Sequence, residues 1–446
     1  MQERICYYVK LLNNLIWDPI VVLFVIVGVV STIALRFVQF RYFFKSWQLV
    51  LAPQEKKKEG DKEDSLSPFQ AFVNALSTSI GNGSLAGMAT AVHEGGPGAV
   101  FWIFVLGIFA LPIRFCEVYL SSAYSDSGAS VTTGGPMAYL KKVPGGFILP
   151  AFYAIFCLLL SFAAGDAVQV NSITCGLKSI INIDSYIIAA LLFAFVAYIM
   201  LGGAARIIKF SMALVPFKVV IFFVSTLLLL IYHSSALIEA FRIIVISAFE
   251  PQAIKGAILG TTMQSAIRYG LSRSVNASEA GLGIAAVFFG SAGNKNPVEN
   301  GIMSMVSAFI SNYLVCFVLA LIVVLTGVWN HEATGIALTS EAFATFYGSF
   351  ANWLITLLSI IFGMSVLVGY AYIGRECWSY LTKGRYLWVY SILYSVLAFF
   401  SSIAKVQLVW DSIDLVNAGL IAINLYGILY LMPKIRKAIV EYGNAR

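Results

Sequence analysis

Residues 79 to 87 read SIGNGSLAG and lie in the middle of a long apolar stretch that is typical of a membrane-spanning helix. Glycine weakens the interior of a helix, and an unwound segment inside hydrocarbon leaves amides and carbonyls without water. Such an interruption is tolerated only where protein, ligand, ion or water satisfies the backbone. This stretch therefore predicts a helix that is broken at membrane depth.

The composition is that of an integral membrane protein, since 59% of the residues are apolar and 11% are charged, against about 25% charged in a soluble domain. A span needs about 20 mostly apolar residues, and long continuous apolar runs favour helices over the short alternating strands of a barrel. We predict an all-α protein with eleven transmembrane helices. They cover residues 15–37, 69–92, 99–122, 147–176, 184–203, 210–232, 253–288, 300–328, 346–373, 387–404 and 412–432.

Basic residues fall in alternate short loops, which indicates the side of the membrane that each loop faces. Examples are Lys141 with Lys142, Arg206 with Lys209, and the C-terminal residues 433–446. We therefore expect a plasma (inner) membrane protein, surrounded by lipid, with its N-terminus outside and its C-terminus in the cytoplasm. Topology also accounts for the formal net charge of +7, so no nucleic-acid partner is predicted.

A second polar interruption, TTMQSAIRYGLSRSVNASEAGLG at 261–283, lies in the other half of the chain. Two glycine-interrupted spans in corresponding positions of two halves are typical of secondary transporters built from inverted repeats, with the site near the midplane. The four-residue spacing of Ser79, Gly83 and Gly87 is also compatible with a close-packing helix face. Arg273 and Glu279 in the second segment favour the interruption, because a packing face needs no charges.

The ten spans after the first divide into five and five. The predicted domains are an extra N-terminal transmembrane helix at 1–40, a charged cytoplasmic linker at 41–67, a first five-helix repeat at 68–232, a second, inverted repeat at 233–432, and a cytoplasmic basic tail at 433–446.

Enzymatic function is not predicted. The three histidines, His93, His233 and His331, form no motif with carboxylates, and the six cysteines have no metal-ligand spacing. A channel, which also uses broken helices, and a non-transporting sensor on the same fold stay open as alternatives.

Several motifs occur in an order that resembles one family of carriers. They are GNGSLAGMATAVHEGGPGAVFW (81–102), TTGGPMAYL (132–140), GDAVQVNSI (165–173), GGAARIIKFSMALVPF (202–217), SEAGLG (278–283) and LVWDSIDLVNAGLIAINL (408–425). They resemble the alanine or glycine:cation symporter family, within the superfamily of the leucine-transporter fold. The resemblance implies that fold and the import of a small amino acid by symport with Na⁺.

The resemblance also implies a substrate pocket between the two broken spans and the third core span. Its predicted residues are Asn82, Gly83, Ser84, Gln169, Asn171, Asn276, Ala277, Ser278 and Glu279. The first three would receive the substrate carboxylate at a helix N-terminus, and Gln169 matches a substrate-contacting glutamine of the family. Asn171 could instead bond a neighbouring helix.

Ionisable residues inside spans are usually paired. Glu279 could bind the substrate amine or a cation, or it could pair with Arg273 or Arg268. Arg114 and Glu117, three residues apart, are expected to form an ion pair on one helix face.

The predicted Na⁺ ligands are oxygens near Ser79 and Asn82 together with the hydroxyl of Ser365. Val366 and Asp166 depart from the family pattern, which has a hydroxyl at the first position and an asparagine at the second. Proton coupling is therefore the alternative, and Asn276, in place of a phenylalanine, favours a more polar substrate than alanine. The sequence does not set the oligomeric state.

Overall fold

The computed structural model describes residues 2–52, 66–125, 134–249, 263–292, 296–403 and 407–445, with backbone only for 2–14 and 407–412. Within these ranges the chain is helical, and a single backbone bridge joins Leu66 to Ala292. About half of the predicted linker (53–65) and part of the predicted span at 253–288 lie outside the described residues.

The helices, labelled α1 to α18 in chain order, have these bounds. They are α1 Gln2–Ala34, α2 Val38–Arg41, α3 Phe43–Leu51, α4 Pro68–Ser79, α5 Asn82–Gly95, α6 Gly98–Tyr124, α7 Pro136–Tyr139, α8 Leu149–Ile180, α9 Ser185–Leu201, α10 Gly203–Tyr232, α11 Leu237–Phe249, α12 Met263–Ser278, α13 Ile284–Gly290, α14 Pro297–Leu325, α15 Gly335–Tyr347, α16 Phe350–Thr382, α17 Leu387–Ile403 and α18 Gln407–Asn444. Helix α8 contains a wide π-helical turn at Ser161–Ala167, and α14 contains another at Ile310–Phe317.

Seven helices in the described part of the chain are long and apolar enough to cross a membrane: α1, α6, α8, α10, α14, α16 and the apolar part of α18. Helices α9 and α17 are apolar but shorter. Outward-facing side chains on the peripheral helices, such as Leu191, Leu227 and Ile392, are more than half exposed. Exposing this apolar surface to water would cost free energy, whereas exposing it to the hydrocarbon of a membrane would not. The predicted all-α, multi-pass membrane architecture is confirmed.

Both predicted interruptions are present. Helix α4 ends at Ser79 and α5 begins at Asn82, joined by the extended residues Ile80 and Gly81. Helix α12 ends at Ser278 and α13 begins at Ile284, and the turn between them places Glu279, Gly281 and Gly283 at φ of 59°, 91° and 78°. The two breaks lie next to each other around one cavity, and α16 packs beside α4.

Two segments that the sequence analysis places outside the spans contain helix in the structure. The range 41–67 is not a linker throughout, because α3 packs its aromatic side chains on α14, with the rings of Phe43 and Phe309 5.1 Å apart. The predicted tail at 433–446 continues α18 as far as Asn444, with Pro433 inside the helix. The domain limits themselves stay predictions.

Candidate functional site

A buried cavity lies between the two helix breaks and the middle of α8. Its lining residues come from both breaks, α8, α16 and α18. They are Thr78, Ser79, Gly81, Gly83, Ser84, Leu160, Ala164, Val168, Gln169, Asn276, Ala277, Glu279, Leu282, Val366, Tyr370, Ile413 and Asn417. The walls thus combine apolar side chains with a few converging polar groups, which is the usual chemistry of a small-molecule site.

The structure brings six of the nine predicted substrate residues to this cavity. They are Gly83, Ser84, Gln169, Asn276, Ala277 and Glu279. The other three lie elsewhere. Asn82 donates its side-chain amide to the carbonyl of Ser359 at 3.1 Å, the Ser278 carbonyl accepts from Arg114 at 2.5 Å, and the Asn171 oxygen accepts from Cys175.

Gln169 joins the wide turn of α8 to the first helix break. Its Nε2 donates to the Ala164 carbonyl at 2.9 Å, and its Oε1 accepts from the Asn82 backbone amide at 3.1 Å. The wide turn shifts carbonyls away from regular α-helical partners, which leaves the Ala164 carbonyl accessible to this side chain. One of the amides predicted to receive the substrate is therefore bonded to another predicted substrate residue.

Glu279 connects the two breaks. Its carboxylate accepts hydrogen bonds from Thr78 Oγ1 at 2.7 Å and from Tyr370 Oη at 2.5 Å. Of the alternatives left open for Glu279, pairing with Arg273 or Arg268 is not what the structure shows, because both carboxylate oxygens are bonded to side chains of α4 and α16.

Arg273 instead pairs with Asp414 of α18, with Nη1 and Oδ1 3.4 Å apart. The same Asp414 oxygen accepts from Asn276 Nδ2 at 2.9 Å, and Asn276 accepts from Asn417. The polar capacity that Asn276 adds is therefore used largely within the protein.

The amides of the second break are bound by a buried carboxylate. Glu117 Oε1 accepts from the backbone of Gly281 at 2.8 Å and of Gly283 at 3.0 Å, and from Asn424 Nδ2 at 2.7 Å. Arg114 lies 3.9 Å from the other carboxylate oxygen. The expected ion pair is therefore present, and it stabilises the turn that leads into α13.

The carbonyls of the first break are bound by a lysine that the sequence analysis did not single out. Lys218 of α10 is completely buried, and its Nζ donates to the carbonyls of Ser77 and Ile80 and to Ser365 Oγ. A sequence signal did exist, because Lys218 is the single charged residue between 210 and 232, inside a predicted span.

The space around Gly83 and Gly87 shows that close helix packing does not require glycine at either position. A Cβ on Gly83 would lie 3.8 Å from the Asn276 carbonyl, and one on Gly87 would lie 3.9 Å from Arg273 Cδ, both ordinary contacts. A Cβ on Gly81, by contrast, would lie 2.5 Å from Val366 Cγ2. Only at Gly81 does a neighbouring helix require glycine.

The predicted cation ligands do not form one free site. Ser79 Oγ and Asn82 Oδ1 are buried and have no hydrogen-bond partner among the described residues. Ser365 is already bonded to Lys218. The oxygens around Ser365 therefore do not fit Na⁺ as they stand, because an ammonium nitrogen occupies their centre. Asp166 is also buried, and neither of its oxygens has a partner in the described structure.

The family model of the sodium:alanine symporter family matches residues 2–446. The chain belongs to that family. The resemblance drawn from the motifs is thus confirmed, and the family is one of transporters, not enzymes.

Two relatives are 32% identical to this chain. An uncharacterized transporter of Haemophilus influenzae aligns over 435 residues, 96% of this chain and 93% of its own. The sodium/alanine symporter AgcS of Methanococcus maripaludis aligns over 436 residues, 95% and 94% of the two chains. A probable sodium/glutamine symporter, GlnT of Bacillus subtilis, is 28% identical over 445 residues, 99% of this chain and 91% of its own.

Solved transporters share the fold. The outward-open, substrate-bound structure of a Na⁺-coupled sialic acid symporter matches with a TM-score of 0.58 at 12% identity, covering 89% of this chain and 86% of its own. A manganese transporter of Eremococcus coleocola matches with a TM-score of 0.54 at 12% identity, covering 85% and 78%. At these identities the likeness concerns the fold alone.

Proposed function

We propose that the protein is a secondary active transporter that imports a small amino acid, of alanine or glycine size, together with a cation by alternating access. The observation that carries the proposal is the cavity between two broken helices, with the N-terminus of α5 on one wall and Glu279 on another. A zwitterionic amino acid needs a positive end for its carboxylate and a negative group for its ammonium. The names of the relatives AgcS and GlnT support an amino acid as substrate.

The carboxylate would bind at the start of α5, beside Gly83 and Ser84. Because Gln169 holds the Asn82 amide at 3.1 Å, a bound carboxylate would displace or share that contact. Binding would therefore be coupled to the position of Gln169, and through it to α8.

For the architecture we propose eleven spans in a 5+5 inverted repeat after an extra first helix. The count combines the seven long apolar helices, the shorter α9 and α17, and the two interrupted pairs α4–α5 and α12–α13. We propose the plasma membrane, with the N-terminus outside and the C-terminus inside, because Lys434, Arg436 and Lys437 follow the last span. Reporter fusions at the C-terminus test this orientation.

The first test is amino-acid binding to the purified protein, followed by uptake into liposomes. A panel of L- and D-amino acids is screened by thermal shift, and the best ligand is then used in radiolabelled form. Saturable uptake with counterflow is the expected result. Flux that does not saturate would indicate a channel, and a complete failure to bind amino acids would contradict the proposal.

A matched pair of variants on α8 tests the site. Gln169→Ala should weaken amino-acid binding about tenfold or more, the equivalent of one good hydrogen bond. Asn171→Ala, two residues along the same helix, should change binding less than about twofold. Equal losses in both variants would place the substrate elsewhere.

A further inference from the structure

Lys218 satisfies the hydrogen-bonding capacity of its ammonium completely within the membrane-spanning part of the protein. The three oxygens around Nζ lie at 2.9 Å (Ser77 carbonyl), 2.7 Å (Ile80 carbonyl) and 2.9 Å (Ser365 Oγ). A lysine ammonium has three N–H donors and no acceptor, and charge-assisted hydrogen bonds have these lengths. The number and lengths of the contacts therefore fit a protonated lysine.

The contacts are made at the end of a half-helix that favours a cation. Ser77 and Ile80 lie at the C-terminal end of α4, where carbonyls have no helical partner and the helix dipole is negative. The ring of Phe362 lies 5.7 Å from Nζ and adds a further favourable surface for a positive charge. The surroundings of Nζ thus favour a cation, and the ammonium of Lys218 is the cation that occupies this position.

One of these oxygens, Ser365 Oγ, is itself a predicted Na⁺ ligand, and the two carbonyls belong to the first break, near Ser79 and Asn82, where the other ligands are predicted. Carbonyls of the first break and the Ser365 hydroxyl already surround Nζ, and the neighbouring Val366 presents a methyl group, not an oxygen, toward Gly81. A second cation at this position would overlap the ammonium and repel it. Lys218 and Na⁺ are therefore mutually exclusive here.

The charged group that acts on Lys218 is Glu279, which is held by Thr78 and by Tyr370 of α16. In the described part of the chain, four other segments pack on α10. Two of them, α4 and the Val318–Leu325 end of α14, contain no ionisable residue. The ionisable residues of the other two, α9 and α15, are exposed or are bonded to groups other than Lys218: Tyr186, Tyr198, Glu341 and Tyr347. The remaining ionisable residues of α16 lie beyond Tyr370, farther from Ser365: Tyr372, Arg375, Glu376, Cys377 and Tyr380.

We propose that Lys218 is the resident cation of this site and that its proton replaces Na⁺ in coupling. This deepens the proposed function, on which it rests for the transport step. A proton from external water binds Nζ, the ammonium orders the first break and hence the start of α5, and after the conformational change the proton passes from Nζ to internal water. One proton enters and one leaves, so no other reactant is needed.

A readout without substrate tests the inference independently of the transported molecule. The thermal unfolding midpoint of purified protein is compared in NaCl and KCl at equal ionic strength. The wild type should show no difference, whereas Lys218→Ala, which vacates the oxygens, should be stabilised specifically by NaCl. Specific stabilisation of the wild type by Na⁺ would overturn the proposal, even if Lys218→Ala fails to fold.

The transport readout uses liposomes with imposed gradients and the amino acid identified by binding. In the wild type, an acid-outside gradient should drive uptake in the absence of Na⁺. In Lys218→Met, the rate of this acid-driven uptake should be at least about tenfold lower. Lys209→Met, which removes an exposed lysine from the same helix, is the matched control and should behave as wild type. Uptake that requires a Na⁺ gradient would overturn the proposal.

Asp166→Asn separates the two candidate proton carriers. If Lys218 carries the proton, the acid-driven component of uptake survives in Asp166→Asn. If acid-driven uptake were lost in Asp166→Asn but retained in Lys218→Met, the assignment of the proton to Lys218 would be contradicted. Failure of every amino acid to bind would count against the proposed function, and the Na⁺ and K⁺ comparison would still decide the inference.

Discussion

The two helix breaks differ in the polarity of the backbone groups that they leave unpaired and in the charge that faces them. At the first break, carbonyls at the end of α4 face the ammonium of Lys218. At the second break, amides that lead into α13 face the carboxylate of Glu117. Each charge matches the half-helix dipole beside it.

The breaks also differ in backbone conformation. The first is two extended residues with no left-handed φ, whereas the second has three residues with φ between 59° and 91°. Extended backbone at Ile80 and Gly81 costs little to form, while the second turn is specified by glycines and by a buried ion pair. We infer that the second break is the rigid part of the site and the first is the part that rearranges.

The largest effect is expected for Glu117→Leu. It leaves Arg114 buried without its partner and two amides without an acceptor, and breaking a buried pair in this way costs about 3–5 kcal/mol. Denaturant unfolding in detergent micelles measures the loss. Glu117→Gln, which keeps an acceptor oxygen, should lose less, and a Leu variant as stable as the wild type would remove the basis for a rigid second break.

Gly283→Ala should cost about 3 kcal/mol, from left-handed backbone strain and from overlap with a packed neighbour. Its Cβ would lie 2.5 Å from Pro136 Cγ and 2.8 Å from Tyr153 Oη. Gly327→Ala is the matched control, because it has φ of 74° with nothing within 4 Å. The control should show the strain alone, and equal losses at both positions would show that the overlap is relieved.

Gly81→Ala should cost about 2 kcal/mol through overlap with Val366 Cγ2. No backbone strain is involved, since φ at Gly81 is −140°. The double variant Gly81→Ala/Val366→Ala should recover part of the stability, as judged by the same unfolding experiment. Absence of recovery would mean that glycine is needed here for conformational freedom, and the contrast between the breaks would weaken.

The smallest effect, about 1 kcal/mol, is expected for Thr78→Val, which removes one hydrogen bond to Glu279. Thr78→Ser keeps the hydroxyl and should be close to the wild type. Combining Thr78→Val with Gly283→Ala in a double-mutant cycle measures the energetic coupling between the breaks. Strict additivity would show that Glu279 does not connect them.

The sequence predicts local features of the site better than its pairings. Glycines and polar residues at 81–84 and 278–283 predict both interruptions, because residues that weaken a helix are conspicuous in an otherwise apolar span. The partners of Glu279 and Arg273 were not predictable from neighbouring positions, since Tyr370 and Asp414 come from helices distant in the chain. Lys218 was visible as a lone charge, but its three acceptors exist only in the folded arrangement of α4, α10 and α16.

The wide turn at Ser161–Ala167 has a consequence for chain length. A π-helical turn holds about one residue more than an α-turn. Loss of one residue inside it would restore regular helix and keep the angular phase of both flanking segments. Loss of one residue from the regular part, Val168–Ile180, would instead rotate everything beyond it by about 100°. Helix α8 can thus change length at this turn while Gln169 still faces the cavity, and α14 has the same tolerance at Ile310–Phe317.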